Sequence, residues 1–163
     1  MKFQLTSPAF QPGSPIPAKF SGEGSDVSPP LEWHGAPAST KEFALLCDDP
    51  DAPTPQPWVH WVIYGIGPDV HSLPEGIKSN TAQLNKPVTA RQGKNSWPSG
   101  VTTGYRGPLP PPGHGTHHYH FKLYALDKPL DLSPGATKQQ MIDAVKGHVL
   151  AETELVGTYE RKR

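Results

Sequence analysis

The sequence predicts a mostly β fold: an antiparallel β-sandwich with one C-terminal α-helix, built as a single domain over residues 1–163. Three observations predict it. Apolar runs of strand length recur through the chain, and several alternate with period two. Proline (21) and glycine (16) are abundant, but they sit between these runs, as in short strands joined by stiff loops. A single stretch near the C-terminus keeps helical spacing. A chain of 163 residues suits one domain. At this size a fold buries roughly 70% of the surface of its unfolded chain, so it needs no disulfide or structural metal.

The first segment, through Leu31-Glu32-Trp33, is broken repeatedly by Pro12, Gly13, Pro15, Pro17, Gly22, Gly24, Pro29 and Pro30 and reads as loop-rich. Residues 41–48 read as a strand, apolar on both faces through Phe43, Ala44, Leu45, Leu46 and Cys47, and therefore central in a sheet. Four prolines stiffen the loop from Asp49 to Pro57. A second strand runs from Trp58 to Ile66. Period two places Trp58, His60, Val62 and Tyr64 on one face and Val59, Trp61 and Ile63 on the other.

Residues 67–103 are polar and broken, and read as one long excursion of the functional or mobile kind. A Gly/Pro loop fills 104–115. The third strand, 117–126, places His117, Tyr119, Phe121 and Leu123 on one face, and His118, His120, Lys122 and Tyr124 on the other. Thr137 and Gln140 fit a capping box, followed by Met141, Val145 and Val149 at helical spacing, which predicts a helix over about 138–151. A short last strand covers Glu154 to Tyr159.

Fifteen basic and fifteen acidic side chains give a formal net charge of zero. That balance argues against a broad footprint for nucleic acid or an anionic membrane, so any anion site is local. Cys47 is the one cysteine, which excludes an intrachain disulfide. Mid-strand among apolar neighbours, it reads as inert packing. The start, Met1 to Pro8, has no apolar core of a signal peptide, and no apolar run is long enough to span a bilayer. A cytoplasmic location is the expectation.

Three elements place polar groups at strand ends. Asp49 and Asp51 leave the first strand, His60 lies just inside the second, and His117 and Tyr119 open the third. Antiparallel pairing across the short loop brings Asp49 and His60 to one end of the sheet. If His117 reaches the same end, a small polar pocket results. A carboxylate beside an imidazole favours the imidazolium, raising its pKa, and an imidazolium donates a strong hydrogen bond to phosphate oxygen. Tyr119 can donate its hydroxyl, and the loop Gly104-Tyr105-Arg106-Gly107 can offer backbone N–H groups. Each piece also has a plainer reading. Asp49-Pro50-Asp51 is a common turn initiator, and a lone strand histidine is commonly a half-buried packing residue. Asp49, His60 and His117 could also bind a metal, although alternation separates His117 from His118. No nucleophile elbow or phosphate-binding P-loop motif is present.

These residues fall in motifs of a known family. Asp26-Val27-Ser28-Pro29-Pro30-Leu31-Glu32-Trp33, Phe43 to Pro53, Trp58-Val59-His60-Trp61-Val62, Gly104-Tyr105-Arg106-Gly107-Pro108 with Pro110-Pro111, and His117-His118-Tyr119 occur in order. With the tail Gly147 to Glu152 and Gly157-Thr158-Tyr159, the chain resembles the phosphatidylethanolamine-binding protein family, in its bacterial and archaeal, Raf kinase inhibitor-like branch. The resemblance implies that family's β-sandwich and an anion pocket at one end. It puts Asp49, His60, Gly107, His117 and Tyr119 on pocket positions, Pro53, Trp58 and Pro111 on the walls, and Asp51 beside them. Two departures stand out: His118, where many relatives carry Arg, and Leu109, where some carry Gly.

The function expected is non-enzymatic binding or regulation: a small phosphate-bearing ligand or phospholipid headgroup, no cofactor, no metal and no catalytic residue. The resemblance implies a homodimer, for which four tryptophans and zero net charge are a weaker hint. Two alternatives stand beside this reading. One is a kinase or protease inhibitor acting through a surface loop. The other is a metal-assisted hydrolase using the Asp/His cluster.

Overall fold

The structure, a computed structural model, describes residues 2–162. Among these residues nine strands form two antiparallel sheets. The smaller contains β1 (Gln4–Thr6), β2 (Leu31–His34) and β5 (Ser72–Leu73) in the order β1-β2-β5. The larger is built from β3 (Glu42–Asp49), β4 (Trp58–Ile66), β6 (Gln83–Leu84), β7 (Ala90–Gln92), β8 (His117–Leu126) and β9 (Val149–Tyr159). Its order is β6-β7-β4-β3-β8-β9. The helix α1 covers Lys138–Val145, and one 3-10 turn spans Ala18–Phe20.

β3 lies between β4 and β8, and all eight of its residues are buried. Both its faces are apolar because both are covered. On one side Phe43, Leu45 and Cys47 join Trp61, Ile63, Phe121 and Leu123 against Leu5, Leu31 and Trp33 of the small sheet. On the other, Ala44, Leu46, Val62 and Tyr64 pack with Met141 and Val145 of α1. Full burial of one such side chain contributes about 1.5–3 kcal/mol.

The face reading of β4 is corrected by one irregularity. Cys47 pairs with Trp61 and Asp48 with Val59, so His60 is the extra residue of a β-bulge. Beyond the bulge the alternation changes phase. Val62 and Tyr64 face the helix with Val59, whereas His60 stays on the inter-sheet side with Trp58 and Trp61. Bulges recur where a side chain must be re-aimed.

Further expectations need correction. The helix ends at Val145 instead of 151, and β9 starts at Val149, not Glu154. Gly147 takes φ +79, a conformation that breaks the helix, and Val149 pairs with Leu126. The capping box is formed, with Gln140 N–H on Thr137 Oγ1 (3.1 Å) and Thr137 N–H on Gln140 Oε1 (2.9 Å). Residues 67–103 are no structureless excursion. They hold β5, β6 and β7, and Leu73, Ile77, Leu84 and Ala90 anchor them in the core. The N-terminal segment is mostly loop between β1 and β2. Its residues 13–16 then lie along the outer edge of β9: Gly13 N–H reaches Val156 O (2.7 Å) and Ile16 N–H reaches Thr158 O (2.7 Å). Among the described residues no helix is long and apolar enough to cross a membrane.

Candidate functional site

The two central hairpin strands, β3 and β4, end together: Asp49 pairs with Trp58. β8 flanks β3 on the other side with Asp48 opposite His120, so His117 and Tyr119 reach the same end. A pocket of about 220 Å³ opens there. Of the residues expected at the site, Asp49, Pro53, Trp58, His60, Pro111, His117 and Tyr119 line it.

Two expected residues lie outside the lining. Asp51 turns outward, where its Oδ2 accepts from the backbone N–H and Nδ1 of His118, both at 2.8 Å. Burial pushes the Asp51 carboxyl up, but the two bonds from His118 and the charges of His118 and His117 together outweigh it and hold the carboxyl below its usual range. His118 thus holds Asp51 on the outer surface. Gly107 donates its N–H to Asp26 Oδ1 (2.7 Å), and a Cβ there would meet Phe20 O at 1.9 Å. Only glycine fits, and the reason is packing against residue 20. The neighbouring loop amides are also occupied: Gly104 N–H bonds Gly93 O and Arg106 N–H bonds His60 O.

The centre of the site is a buried pair. His117 Nδ1 lies 2.6 Å from Asp49 Oδ2, with side chains 2% and 4% exposed. The second carboxylate oxygen of Asp49 accepts from Asp51 N–H (2.8 Å), which fixes the rotamer. The far nitrogen of His117, Nε2, meets Nδ1 of His114 at 2.6 Å. Asp49, His117 and His114 therefore form a chain of hydrogen bonds from the buried end of β3 to the exposed loop.

His60 is organised differently. Its Nδ1 lies 2.7 Å from the carbonyl oxygen of Arg106. A carbonyl can only accept, so Nδ1 carries the proton and the neutral ring keeps its lone pair on Nε2. Burial pushes the His60 pKa down, and the Arg106 bond and the charges of Asp49, Asp26 and Asp48 only partly oppose it. The expectation that a nearby Asp raises the histidine pKa is thus reversed at His60, because desolvation outweighs the carboxylates. Tyr119 stands edge-on to His60 (ring centroids 5.0 Å apart) and its hydroxyl is pushed far up by burial and then by Asp49. It remains a donor. Cys47 is fully buried, with its thiol pushed well above the ordinary value by burial and by Asp48 and Asp49.

Sequence reasoning missed Trp97. It lies within the polar 67–103 stretch, yet its ring contacts Trp58 (5.3 Å) and His60 (5.2 Å), and the Arg106 guanidinium covers it at 4.6 Å. Nothing in its spacing announces this; a lone aromatic in a polar stretch is the only signal. Leu109 also lines the pocket. Among the described residues, no group of three or more His, Cys, Asp or Glu is arranged to hold a metal ion.

Comparison with known proteins agrees in family and fold. A UPF0098 protein of Methanothermobacter thermautotrophicus is 47% identical over 157 residues, covering 96% of this chain and 98% of that protein. A Mycobacterium tuberculosis relative, LppC, named as a candidate lipoprotein, is 42% identical over 156 residues, 96% of this chain and 71% of that one. The crystal structure of E. coli YbcL, described as a new member of the mammalian PEBP family, matches with a TM-score of 0.88 at 32% identity, covering 99% of this chain and 100% of that one. The family model described as phosphatidylethanolamine-binding protein matches residues 6–160, from the last residue of β1 to just past β9. With β2 to β9, α1 and every pocket residue inside that span, this chain belongs to the phosphatidylethanolamine-binding protein family.

Proposed function

We propose that this protein binds a small phosphate-bearing ligand in the pocket at the Asp49–His117 end of the sandwich and does not turn it over. The observation that carries the reading is the buried Asp49–His117 pair beside a neutral His60 in one pocket. Asp49 orients His117, and a protonated His117 donates from Nε2 to a phosphate oxygen. The Tyr119 hydroxyl donates a second bond. His60 Nε2 accepts, which suits the P–OH of a monoprotonated phosphate. Trp58, Trp97, Pro53 and Pro111 give apolar walls for a short organic group. Free phospho-compounds and phospholipid headgroups share this chemistry.

No lysine or arginine lines the pocket, so selection rests on geometry and proton placement, not on long-range attraction. A hydrolase needs a nucleophile or an activated water beside a base. Cys47 is buried away from solvent, and Thr54, the one hydroxyl besides Tyr119 in the lining, donates to Gln56 O. We also propose a cytoplasmic location and a homodimer as the working state.

Calorimetric titration with inorganic phosphate and with a short phosphomonoester tests the binding. Saturable binding that His117→Ala weakens is the expected result. Incubation with generic phosphoester and ester substrates, metal-stripped and zinc-loaded, tests the rest. Zinc-dependent turnover that disappears in Asp49→Asn and His117→Ala overturns the binding reading in favour of a metal-assisted hydrolase.

A further inference from the structure

One peptide unit links a carboxylate to His60. Its N–H, that of Gly107, donates to Asp26 Oδ1 at 2.7 Å; its C=O, that of Arg106, lies 2.7 Å from His60 Nδ1. The same loop is held to β4 from behind, with Arg106 N–H on His60 O at 3.0 Å. Asp26 itself sits at φ +58, a left-handed conformation that Asp and Asn adopt more readily than most residues. The peptide cannot slide, because Gly107 is pressed against the backbone of Phe20 and Ser21.

We infer that Asp26 is a positioning residue for the pocket: acting through the Arg106–Gly107 peptide, it fixes His60 with Nδ1 protonated and Nε2 as a hydrogen-bond acceptor toward the ligand. A carboxylate on the N–H end polarises the amide and makes its oxygen a stronger acceptor at the other end. That stronger acceptor favours the Nδ1–H tautomer. Outer partners set the tautomer of ligating histidines in the same way, usually by direct contact; here a backbone amide stands between. The consequence for binding rests on the reading of the pocket as a phosphate site: an acceptor at Nε2 selects an anion that still carries a proton. The other ionisable groups around His60 are Asp49 and Asp48 on β3, and His117 and Tyr119 on β8.

The test uses the full chain labelled with ¹⁵N and reads the ring nitrogens of His60 in wild type, Asp26→Asn and Asp26→Gly. Glycine is at ease at positive φ, so Asp26→Gly removes the carboxylate without backbone strain. Asp26→Asn keeps an acceptor and drops the charge. Wild type is expected to show an unprotonated Nε2 at neutral pH. Asp26→Asn retains that tautomer but protonates at lower pH. Asp26→Gly gains the Nε2–H tautomer and loses affinity for inorganic phosphate by about tenfold, the lower end of what losing an outer partner costs a metal-ligating histidine. Wild-type nitrogen shifts in a folded Asp26→Gly overturn the inference, and so does an unmoved His60 midpoint in Asp26→Asn. Absence of phosphate binding in wild type sinks the pocket reading instead, and the nitrogen shifts still decide the role of Asp26.

Discussion

His114 Nδ1 and His117 Nε2 are 2.6 Å apart, so the nitrogen that the pocket histidine would offer to a ligand is already engaged by a side chain from the 111–116 loop. His114 is exposed, and glycines at φ +72 and +93 flank it. A ligand oxygen at His117 must take the place of His114. Replacing His114 with Ala is expected to strengthen phosphate binding. The gain is about two- to tenfold, the range of one net hydrogen bond of about 0.5–1.5 kcal/mol. Weaker binding in the titration would make His114 a ligand contact.

His60→Ala and His117→Ala are each expected to weaken phosphate binding by roughly ten- to over a hundredfold. That corresponds to about 1.5–3 kcal/mol for a hydrogen bond to a charged group. They differ in stability. His117→Ala leaves Asp49 buried with only the Asp51 amide, and is expected to lower the denaturant midpoint more than His60→Ala. Equal affinities across wild type and both variants would remove the two histidines from the site.

The depressed pKa of His60 has a sign. The folded state binds this proton less readily than the unfolded chain, whose histidine titrates near the ordinary value of about 6.5. The contribution of His60 to stability is therefore complete above 6.5 and is lost as pH falls through the folded value. His60→Asn, whose amide N–H can replace Nδ1, is expected to flatten this part of the profile. Urea melts between mildly acid and neutral pH check it. Parallel profiles for wild type and variant would contradict the assignment.

Glu42 behaves oppositely. It is buried, and its Oε2 has no hydrogen-bond partner. Burial raises its pKa above 4.5, and bonds from the Leu130 and Gly65 backbone and the charge of Arg91 only partly offset this. Here the folded state holds the proton more tightly, so stability falls as pH rises from 4.5 toward the folded value. Glu42→Gln is expected to raise the melting temperature at neutral pH and have little effect in acid. A loss of stability at neutral pH would show that the charged form is paid back by an unseen partner.

Sedimentation at micromolar concentration is expected to give a dimer. A monomer at all concentrations would leave the proposed homodimer without support.

Asp49, His60 and His117 were legible because each sits at the end of a strand with clear apolar patterning, and a short proline-stiffened loop fixes how two of those strands pair. The faces of β4 were not legible, since alternation assumes an unbroken ladder and the bulge at His60 inserts one residue. β5, β6 and β7 have two or three residues each, too few to show a period. Trp97 and Asp26 reach the site only through loop contacts with partners far along the chain, which composition and spacing do not encode. The end of α1 was misread because Val149 keeps helical phase across Gly147.

Asp49 and His117 are separated by 68 positions in the chain. Closing a loop of that length costs entropy before any contact repays it. The strand that carries His117 is itself stitched to β9, the last strand, from His117–Tyr159 to Leu126–Val149. On a ribosome the hairpin of β3 and β4 can form early, but its carboxylate waits for a partner that arrives much later. Until β8 has emerged and docked on β3, Asp49 has no His117 to pair with, so binding competence follows the pairing of β8 and not the folding of the hairpin.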